Sequence, residues 1–587
     1  MEENSTVFMQ YSSIPLAQSI TLLCLTKEIN HVVISPGSRN APLTISFSNH
    51  PEIEAYSIVD ERSAAFFALG LAQQLQKPVA LCCTSGSALL NYYPAISEAF
   101  YSDIPLVVIS ADRPVERIDI GDGQTIRQKN VFENHILYSA NLYSELVLDA
   151  FPLDEKLKQK QFEAQKHNER EINLALNTAI EQNGPVHINA PFYEPLYNLI
   201  EKPTVAPLQI EPIREAKTTT EKALQSYAEI WNNAKRKLVL VGVNKPNSVE
   251  QKYLDFLAED PSVLVMTETT SNLHHEKFIT RIDKIIAPIE NSENREEEFQ
   301  NLQPDILLTF GGMIISKKIK AFLRNYQPKH HWHVDSKKAL NTFFCLNKHF
   351  DVNANEFFSN FSPLIKTSKS DYQEKWLEVN AQRDIHHEKY MEEIPFCDLK
   401  AFRHILAKMP EKQVLHLSNS SIVRYAQLFR LHPSLEVYCN RGTSGIDGSS
   451  STAVGASVKA NLPTTLITGD LSFFYDSNAL WNNYIPKSFR IIIINNQGGG
   501  IFRILPGAKD AQYFSQYFET VHKLNAKHLA AMYNFEYQTA EDEESLKTNL
   551  EEFYTESERP KILEIFTPRE ENDTYLKNYF RYILNKE

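Results

Sequence analysis

The sequence predicts an α/β protein with three doubly wound parallel-sheet domains. Short apolar runs rich in β-branched residues recur along the chain, and stretches with helical periodicity separate them. Several of these runs end directly in turns rich in glycine, serine and asparagine. Strands that alternate with helices are typical of a parallel sheet covered on both faces.

The first predicted domain covers residues 1–195. A helix is predicted from Asp60 onward, directly after the second apolar run. The predicted strands of this domain are HVVIS (31–35), AYSIV (55–59), PVALCC (78–83), PLVVIS (105–110) and GPVHINAPF (184–192).

The second predicted domain covers residues 196–375 and the third covers residues 376–587. A linker with Pro203, Pro207 and Pro212 separates the first two domains. The middle domain has predicted strands KLVLVG (237–242), SVLVMT (262–267) and DILLTFGG (305–312). A polar stretch at 359–373 leads to the third domain, with predicted strands VLHLSNS (414–420), TLI (465–467) and IIII (491–494).

Composition excludes several classes of protein. The 587 residues are 42% hydrophobic and 23% charged, which is typical of a globular chain. The net charge of −13 argues against non-specific nucleic-acid binding, so an anionic substrate needs a local basic cluster. No apolar run is long enough to span a membrane, and the N-terminus does not resemble a signal peptide. We expect a cytoplasmic protein without nucleic-acid partners or membrane insertion.

The cysteines and histidines do not follow metal-site patterns. Six cysteines occur without a CxxC spacing, which favours buried free thiols in a reducing compartment. Three groups of histidines lack the helical spacing and carboxylate partner of a metal site, and are expected to be solvated or structural. They are His274-His275, His330-His331-His333 and His386-His387.

Two strand ends of the third domain carry hard oxygen ligands. One predicted strand ends at Gly469-Asp470 and the run 491–494 ends at Asn495-Asn496, followed by Gly498-Gly499-Gly500. The carboxyl ends of parallel strands bind ligands, and carboxylate and amide oxygens suit Mg²⁺ with a phosphorylated ligand. The alternative is a pair of ordinary turns, in which Asp, Asn and Gly are common.

This pattern resembles the fingerprint of thiamine diphosphate-dependent enzymes, a GD(G) pair followed about two dozen residues later by NN. Leu471 replaces the usual third-position glycine. The resemblance implies thiamine diphosphate with Mg²⁺ or Mn²⁺, the metal held by Asp470, Asn496 and Gly498. Further cofactor contacts are implied at Glu61, Ser420, Ile446 and Ser472, where Ile446 is the large apolar residue that keeps the cofactor bent.

Glu61 matches the catalytic glutamate position of these enzymes. It stands where the predicted strand AYSIVD meets the helix ERSAAFFALGLA. A carboxyl group in this position shares a proton with N1′ of the aminopyrimidine, and an apolar setting favours the protonated form. The alternative is a carboxylate that only stabilises the N-terminus of the helix, worth about 0.3–1 kcal/mol.

Longer motifs narrow the resemblance to one family. They are SPGSRNAPLT (35–44), SADRPVERIDIGDGQTIRQ (110–128), SNSSIVR (418–424), NRGTSGIDG (440–448) and GGGIFRILP (498–506). Together they resemble the 2-succinyl-5-enolpyruvyl-6-hydroxy-3-cyclohexene-1-carboxylate synthases of menaquinone biosynthesis. The resemblance runs essentially end to end and is weaker between residues 196 and 400.

The resemblance implies a transferase of the thiamine diphosphate-dependent enzyme type. Such enzymes decarboxylate 2-oxoglutarate and add the product in a 1,4 sense to isochorismate. The first domain would bind the pyrimidine ring of the cofactor, and the third would bind its diphosphate and the metal. The second would be the middle domain between them. In the family the site lies between two subunits, which implies a homodimer or homotetramer.

The two substrates together carry four carboxylates, so several guanidinium groups are expected. Besides Glu61, the implied catalytic residues are Arg39, Gln124, Arg424 and Arg441. The implied substrate-binding residues are Ser38, Arg39, Arg113, Gln124, Lys317, Ser420, Arg424, Arg441, Ile501, Phe502 and Leu505. Lys318 stands where some members have arginine, and Gly123 replaces a polar residue. For each arginine alone the alternative is a surface ion pair, and for each apolar residue it is core packing.

The sequence leaves other functions open. The nearest alternative is another thiamine diphosphate-dependent 2-oxoacid decarboxylase or acetolactate-type carboligase. Simple decarboxylases tend to carry a histidine pair in the first domain, whereas the comparable segment here is Ala111-Asp112-Arg113-Pro114. Dinucleotide binding is disfavoured because no strand is followed by GxGxxG, and a non-catalytic thiamine-binding protein would not need Glu61.

Overall fold

The computed structural model describes residues 10–145, 155–213, 217–504 and 511–584. The elements up to residue 213 are β1 (Tyr11–Ser12), α1 (Pro15–Thr26), β2 (His31–Ile34), α2 (Ala41–Ser48), β3 (Glu54–Ser57), α3 (Glu61–Leu75), β4 (Val79–Cys83), α4 (Ser87–Asn91), α5 (Tyr93–Ser102), β5 (Leu106–Asp112), β6 (Tyr138–Asn141), α6 (Glu155–Gln182), β7 (Val186–Pro191) and β8 (Leu199–Ile200).

The next elements are α7 (Glu221–Asn233), β9 (Lys237–Val241), α8 (Gln251–Glu259), β10 (Val263–Thr267), α9 (Ile282–Glu290), α10 (Arg295–Leu302), β11 (Ile306–Phe310), α11 (Lys317–Asn325), β12 (His330–Val334), β13 (Leu346–Phe350), α12 (Ala354–Phe361) and α13 (Tyr372–Glu393). The predicted limit between residues 375 and 376 lies inside α13.

The last elements are α14 (Asp398–Lys408), β14 (Val414–Leu417), α15 (Ser421–Ala426), β15 (Glu436–Tyr438), α16 (Ser449–Lys459), β16 (Thr464–Gly469), α17 (Asp470–Tyr475), β17 (Arg490–Asn495), α18 (Ile501–Ile504), α19 (Phe514–Tyr517), α20 (Lys527–Met532), β18 (Glu536–Ala540), α21 (Glu543–Phe553), β19 (Lys561–Phe566) and α22 (Asn572–Tyr582). Short 3₁₀ turns lie at Val115–Arg117, Glu133–His135, Thr269–Ser271, Ser362–Leu364 and Ser477–Leu480.

The chain divides into two compact units. The first contains residues 1–214, 442–461 and 475–489, and the second contains the remainder. The sheet of the first unit has the strand order β3-β2-β4-β5-β7-β6, all parallel, and β1 pairs with β8 antiparallel. Helix α3 of this unit packs along α16.

The second unit contains two parallel sheets. Their strand orders are β10-β9-β11-β12-β13 and β15-β14-β16-β17-β19-β18. Both faces of each sheet are covered in the middle, so every residue of β9 and β17 is buried, whereas the edge strands β13 and β18 are partly exposed. Over the residues that the structure describes, the predicted fold class of three parallel-sheet α/β domains is confirmed.

Side-chain caps define where several helices begin. Asp60 caps α3, because its carboxylate accepts a hydrogen bond from the Ser63 amide at 3.2 Å. Ser316 caps α11 by accepting from the Ile319 amide at 3.1 Å. These two caps place Glu61 and Lys317 at the first position of their helices, next to the carboxyl end of a sheet.

Candidate active site

In the first unit, Arg39 lies in the turn between β2 and α2. It is 9% exposed, and its guanidinium donates to the Phe192 carbonyl at 3.2 Å and to the Glu194 carboxylate at 3.0 Å. Glu194 is largely exposed, so this ion pair is screened by water and weak. The neighbouring Ser38 side chain is exposed. An anionic substrate can therefore compete with Glu194 for Arg39.

Arg113 follows β5 at the same edge of the first sheet. Its guanidinium donates to the Ser85 hydroxyl at 3.0 Å and its backbone amide to Asp112 Oδ1 at 2.8 Å. Burial raises the pKa of Asp112, while a hydrogen bond from Asn189 and the charges of Arg113 and Arg39 oppose this rise. Both arginines thus lie near one buried carboxylate, and the structure brings them to one edge of the sheet.

Gln124 lies in the loop that follows Arg113 and has a left-handed backbone with φ of 55°. Its backbone packs on Gly86, where a Cβ atom would lie 3.2 Å from the Gln124 carbonyl oxygen. The Gly86 amide in turn donates to the Gln128 side chain at 3.0 Å. The exposed Gln124 side chain is therefore carried by a loop anchored on the turn after β4.

Glu61 is half-buried at the start of α3. The Asn91 amide lies 3.4 Å from its carboxylate. Burial raises the pKa of Cys83 and of Tyr92 well above their usual ranges, and the charge of Glu61 adds to both shifts. The Glu61 carboxylate thus lies close to two fully buried side chains.

Ile446 lies in the segment of residues 442–448 that precedes α16, and 36% of it is exposed. The buried carboxylate of Glu98 accepts hydrogen bonds from the amides of Gly442 at 2.7 Å and Thr443 at 2.6 Å. Glu98 is a residue that the sequence did not indicate. It fixes the start of the segment that presents Ile446.

In the second unit, four neighbouring strands end in predicted site residues. Ser420 and Arg424 follow β14, Arg441 follows β15, Asp470 follows β16, and Asn496 follows β17. These strands have the order β15-β14-β16-β17, so their carboxyl ends form one continuous edge. Such edges are the usual ligand sites of parallel α/β sheets.

The Asp470 carboxylate is buried and oriented by backbone amides. Its Oδ1 accepts from the Leu471 amide at 2.6 Å and its Oδ2 from the Gly498 amide at 3.0 Å. Gly498 has φ of 151°, and a Cβ atom there would lie 2.6 Å from the Glu519 carbonyl oxygen. Only glycine fits at this position. Ser472, also buried, lies two residues beyond Asp470 in α17.

Asn496 is held by a carboxylate that the sequence did not indicate. Its side-chain amide donates to Asp398 at 3.0 Å, and the Thr567 hydroxyl donates to the same carboxyl group at 2.5 Å. Burial raises the pKa of Asp398 to about 6, although both hydrogen bonds oppose the rise. Because the amide nitrogen is committed to Asp398, the carbonyl oxygen of Asn496 faces away from it and can serve as a ligand.

Arg424 and Arg441 are neighbouring cations, of which Arg441 is buried and Arg424 is half-buried. Arg441 donates to the Asn419 side chain at 2.5 Å, and Arg424 donates to the Ser420 carbonyl. Burial lowers the pKa of Arg424 and the charge of Arg441 adds to the fall, while Asp283 and Glu268 oppose it. Two guanidinium groups this close favour a bound anion.

Lys317 begins α11 and is exposed, whereas Lys318 pairs with Glu290. Two carboxylates hold the start of this helix, the buried Glu268 and the half-buried Asp283. Glu268 accepts from the Ile315 amide at 2.6 Å and from the Ser316 amide at 2.7 Å, and Asp283 accepts from the Ser316 hydroxyl. Neither carboxylate could be recognised from the sequence, because each lies more than thirty residues from the helix it holds.

The structure describes two of the three apolar residues that the resemblance implies in substrate binding. Ile501 and Phe502 are half-buried in α18, and the Phe502 ring lies 6.0 Å from that of Phe518. Leu505 lies outside the described residues.

The cysteines and histidines have structural environments. All six cysteines are free, and all but Cys345 are buried. The Thr309 hydroxyl lies 3.0 Å from His331 Nε2 and 2.8 Å from His333 Nδ1, and burial lowers the pKa values of these histidines to about 3 and 4. Among the helices of the described ranges, none combines the length and apolar character needed to cross a membrane.

The residues around Asp470 fit a divalent cation with a diphosphate. Within the described ranges no group of three or more His, Cys, Asp or Glu side chains is arranged around a common point. An ion here would therefore take one carboxylate, one amide oxygen and one main-chain carbonyl, a hard donor set that Mg²⁺ or Mn²⁺ accepts. The close backbone approach at Gly498 provides the cradle.

Comparison with known proteins agrees with this geometry. Three family models match: the N-terminal binding domain of thiamine pyrophosphate enzymes at residues 15–139, their middle domain at 211–417, and their C-terminal binding domain at 420–565. The cofactor is therefore thiamine diphosphate with a divalent metal.

Curated relatives cover nearly the full chain, and each is named 2-succinyl-5-enolpyruvyl-6-hydroxy-3-cyclohexene-1-carboxylate synthase. The relative from Christiangramia forsetii is 68% identical over 98% of this chain and all of its own length. The relative from Flavobacterium psychrophilum is 54% identical over 98% of this chain and 100% of its own length. That from Porphyromonas gingivalis is 38% identical over 95% of both chains. The chain thus belongs to the 2-succinyl-5-enolpyruvyl-6-hydroxy-3-cyclohexene-1-carboxylate synthase family of thiamine pyrophosphate enzymes.

Proposed function

We propose that this enzyme decarboxylates 2-oxoglutarate and adds the resulting four-carbon unit to isochorismate in a 1,4 sense. The product is 2-succinyl-5-enolpyruvyl-6-hydroxy-3-cyclohexene-1-carboxylate, a precursor of menaquinone. One observation carries the proposal. The buried Arg441 and the half-buried Arg424 lie on the same sheet edge as Asp470 and Asn496, which supports an anion-binding site next to the residues proposed to hold the cofactor.

Asp470, Asn496 and Gly498 would hold the divalent ion on the cofactor diphosphate. The bound thiamine diphosphate supplies a nucleophilic carbon and accepts the electron pair released by decarboxylation. Glu61 would share a proton with N1′ of the aminopyrimidine and so bring the ring into its proton-accepting form. Ile446 would keep the two rings of the cofactor close together.

The basic residues would bind and orient the substrates. Arg39, Arg113, Lys317, Arg424 and Arg441 would supply the cationic groups that dianionic substrates need in a chain of net charge −13. A planar guanidinium binds a carboxylate through two parallel hydrogen bonds, which fixes orientation as well as charge. Ser38, Gln124 and Ser420 would add neutral hydrogen bonds.

The apolar residues would exclude water from the reacting carbon. With water excluded by Ile501, Phe502 and Leu505, the reacting carbon would attack the second substrate rather than become protonated. Arg39, Gln124, Arg424 and Arg441 would act where charge develops on the substrates during the reaction.

We also place the enzyme in the cytoplasm as a homodimer or homotetramer. Six free cysteines suit a reducing compartment. The family resemblance supplies the argument for self-association, and light scattering of the purified protein measures it.

A coupled assay tests the proposed reaction. The purified protein, loaded with Mg²⁺ and thiamine diphosphate, receives 2-oxoglutarate with and without isochorismate. We expect one CO₂ released for each isochorismate consumed, and a product whose mass is that of the two substrates together less one CO₂. Release of CO₂ with succinic semialdehyde while isochorismate stays intact would identify a simple decarboxylase. Preference for pyruvate would identify an acetolactate-type carboligase.

A further inference from the structure

The segment that follows Glu519 packs against the loop of residues 496–500, called here the glycine loop. The Gly499 amide donates to the Glu519 carbonyl at 2.7 Å, and the His522 amide donates to the Gln497 carbonyl at 3.3 Å. The Glu519 carboxylate is fully buried and pairs with both Arg503 and Arg569. These contacts fix His522 beside the glycine loop.

The imidazole of His522 lies between Asp470 and Phe474. Its Nε2 is 3.4 Å from Asp470 Oδ2, and its ring meets the Phe474 ring edge-on at 5.5 Å. The side chain is 13% exposed. Since Asp470 and Phe474 stand one helical turn apart in α17, the imidazole packs on the helix that carries the proposed metal ligand.

The hydrogen bond at Nδ1 determines which ring nitrogen carries the proton. Nδ1 accepts a hydrogen bond from the Leu524 amide at 3.1 Å. In the neutral imidazole the proton must therefore be on Nε2. This Nε2 is buried, and its 3.4 Å contact with Asp470 Oδ2 lacks hydrogen-bond geometry, so it has no hydrogen-bond partner among the described residues. A buried donor left without an acceptor is costly, so a ligand acceptor is expected at this position.

We propose that His522 is a further cofactor-binding residue, whose Nε2–H donates a hydrogen bond to a diphosphate oxygen of thiamine diphosphate. The diphosphate is the anion that the adjoining residues Asp470, Asn496 and Gly498 would hold through the metal. His522 would then supply a direct protein contact to the anion, alongside the contacts made through the ion. The inference rests on the cofactor assignment and is independent of the substrates.

Two substitutions separate this role from a purely structural one. In His522→Asn, the side-chain oxygen can replace Nδ1 as acceptor for the Leu524 amide, but the Nε2 donor is lost. In His522→Gln, the side-chain amide can replace the Nε2 donor, but the Nδ1 acceptor is lost. If His522 only shapes its own turn, His522→Gln should weaken cofactor binding more than His522→Asn does. If His522 binds the diphosphate, His522→Asn should weaken it more.

The test is calorimetric titration of the full-length apoenzyme with thiamine diphosphate and, separately, with inorganic pyrophosphate, both at saturating Mg²⁺. We expect His522→Asn to weaken both ligands by roughly ten- to a hundred-fold, as for a hydrogen bond to a charged group. His522→Gln should stay within about three-fold of wild type. Failure of the wild type to bind Mg²⁺ and thiamine diphosphate would instead refute the cofactor assignment.

The proposal is overturned if His522→Asn binds both ligands as wild type does. It is also overturned if Gln is the weaker variant, or if the two lose affinity equally, because both results indicate a role in shaping the turn. Melting temperatures of the apoenzymes check folding. If His522→Asn does not fold, His522→Gln is compared with His522→Phe. The proposal is supported if His522→Gln keeps its affinity for pyrophosphate and His522→Phe loses it, and it is refuted if the two variants bind pyrophosphate equally.

Discussion

Gly70 of α3 and Gly455 of α16 each lie against the backbone of the other helix. A Cβ atom at Gly70 would stand 2.0 Å from the Thr452 carbonyl oxygen, and one at Gly455 would stand 2.0 Å from the Phe67 carbonyl oxygen. No side chain fits at either position. The first unit thus depends on two glycines nearly four hundred residues apart in the chain.

Gly70→Ala and Gly455→Ala should each destabilise the protein. Alanine is the better helix former by about 1 kcal/mol, so propensity alone predicts a gain. The clash with backbone should outweigh this gain and cost about 1–3 kcal/mol or more net. Thermal unfolding followed by circular dichroism measures the change. Gly123→Ala is the control, because a Cβ atom there meets nothing within 4 Å. Melting temperatures at or above that of the wild type would contradict the prediction, because the two helices could then accommodate a Cβ atom without loss of stability.

Asp470→Ala should abolish metal-dependent binding of thiamine diphosphate. The ion would lose its carboxylate ligand, and the Gly498 amide would lose the acceptor that it contacts at 3.0 Å. Titration with the cofactor at increasing Mg²⁺, followed by tryptophan fluorescence, measures the loss. Asp335→Ala is a matched control, because Asp335 also follows a strand and accepts from turn amides. Unchanged affinity and metal dependence would contradict the proposed site.

Glu61→Gln should leave cofactor binding largely intact and slow proton exchange at C2 of the bound cofactor by orders of magnitude. The amide keeps the shape of the side chain but cannot share a proton with N1′ in the required way. Quenched-flow deuterium exchange followed by NMR measures the rate. Glu52→Gln, at an exposed position before β3, serves as control. An unchanged exchange rate would remove Glu61 from the mechanism.

Arg39, Arg113 and Arg441 should divide their binding between the two substrates. Each charge-assisted pair contributes about 1.5–3 kcal/mol, so each alanine variant should raise the Michaelis constant for one substrate roughly ten- to a hundred-fold. The cofactor constant should be nearly unchanged. Lysine should rescue only in part, because it cannot form the bidentate contact.

Steady-state kinetics of these six single variants provide the measurement. Arg170→Ala is the control, since Arg170 forms an exposed ion pair on α6. Wild-type constants for both substrates across the set would mean that the three arginines are structural.

The stability of the first unit should depend on the ionisation of Glu145. Burial raises the pKa of Glu145 to about 7 from an ordinary value of 4.5, and the charge of Glu169 adds to the rise. Hydrogen bonds from Asn168 and Gln161 oppose it. Between pH 4.5 and 7 the unfolded chain loses this proton while the folded chain keeps it, so stability falls as the pH rises.

The Glu145→Gln side chain cannot ionise, so the variant should not lose stability as the pH rises. The loss that it avoids is at most about 3 kcal/mol of unfolding free energy. The melting temperature of the variant relative to wild type should therefore increase from pH 5 to pH 8. Glu163→Gln, at an exposed position on α6, controls for the change of net charge. Parallel pH profiles for Glu145→Gln and wild type would contradict the prediction.

The sequence by itself determined the fold class and the placement of the main site residues. A β-branched run followed by Asp470 or Asn496 suffices to put each residue at a strand end, because alternation of strand and helix is a local property. The same reasoning put Glu61 at the start of α3, where the structure has it. That β16 and β17 are neighbours and share one edge with β14 and β15 was decided by the tertiary structure.

Only the tertiary structure decided which side chains hold these residues in place. Asp398 contacts Asn496 from 98 residues away, and Glu268 contacts the start of α11 from 48 residues away. His522 gave no sequence signal, since a lone histidine in a polar stretch has no distinguishing pattern. A buried carboxylate or imidazole acquires its role from packing between distant elements, and local periodicity contains no information about such pairs.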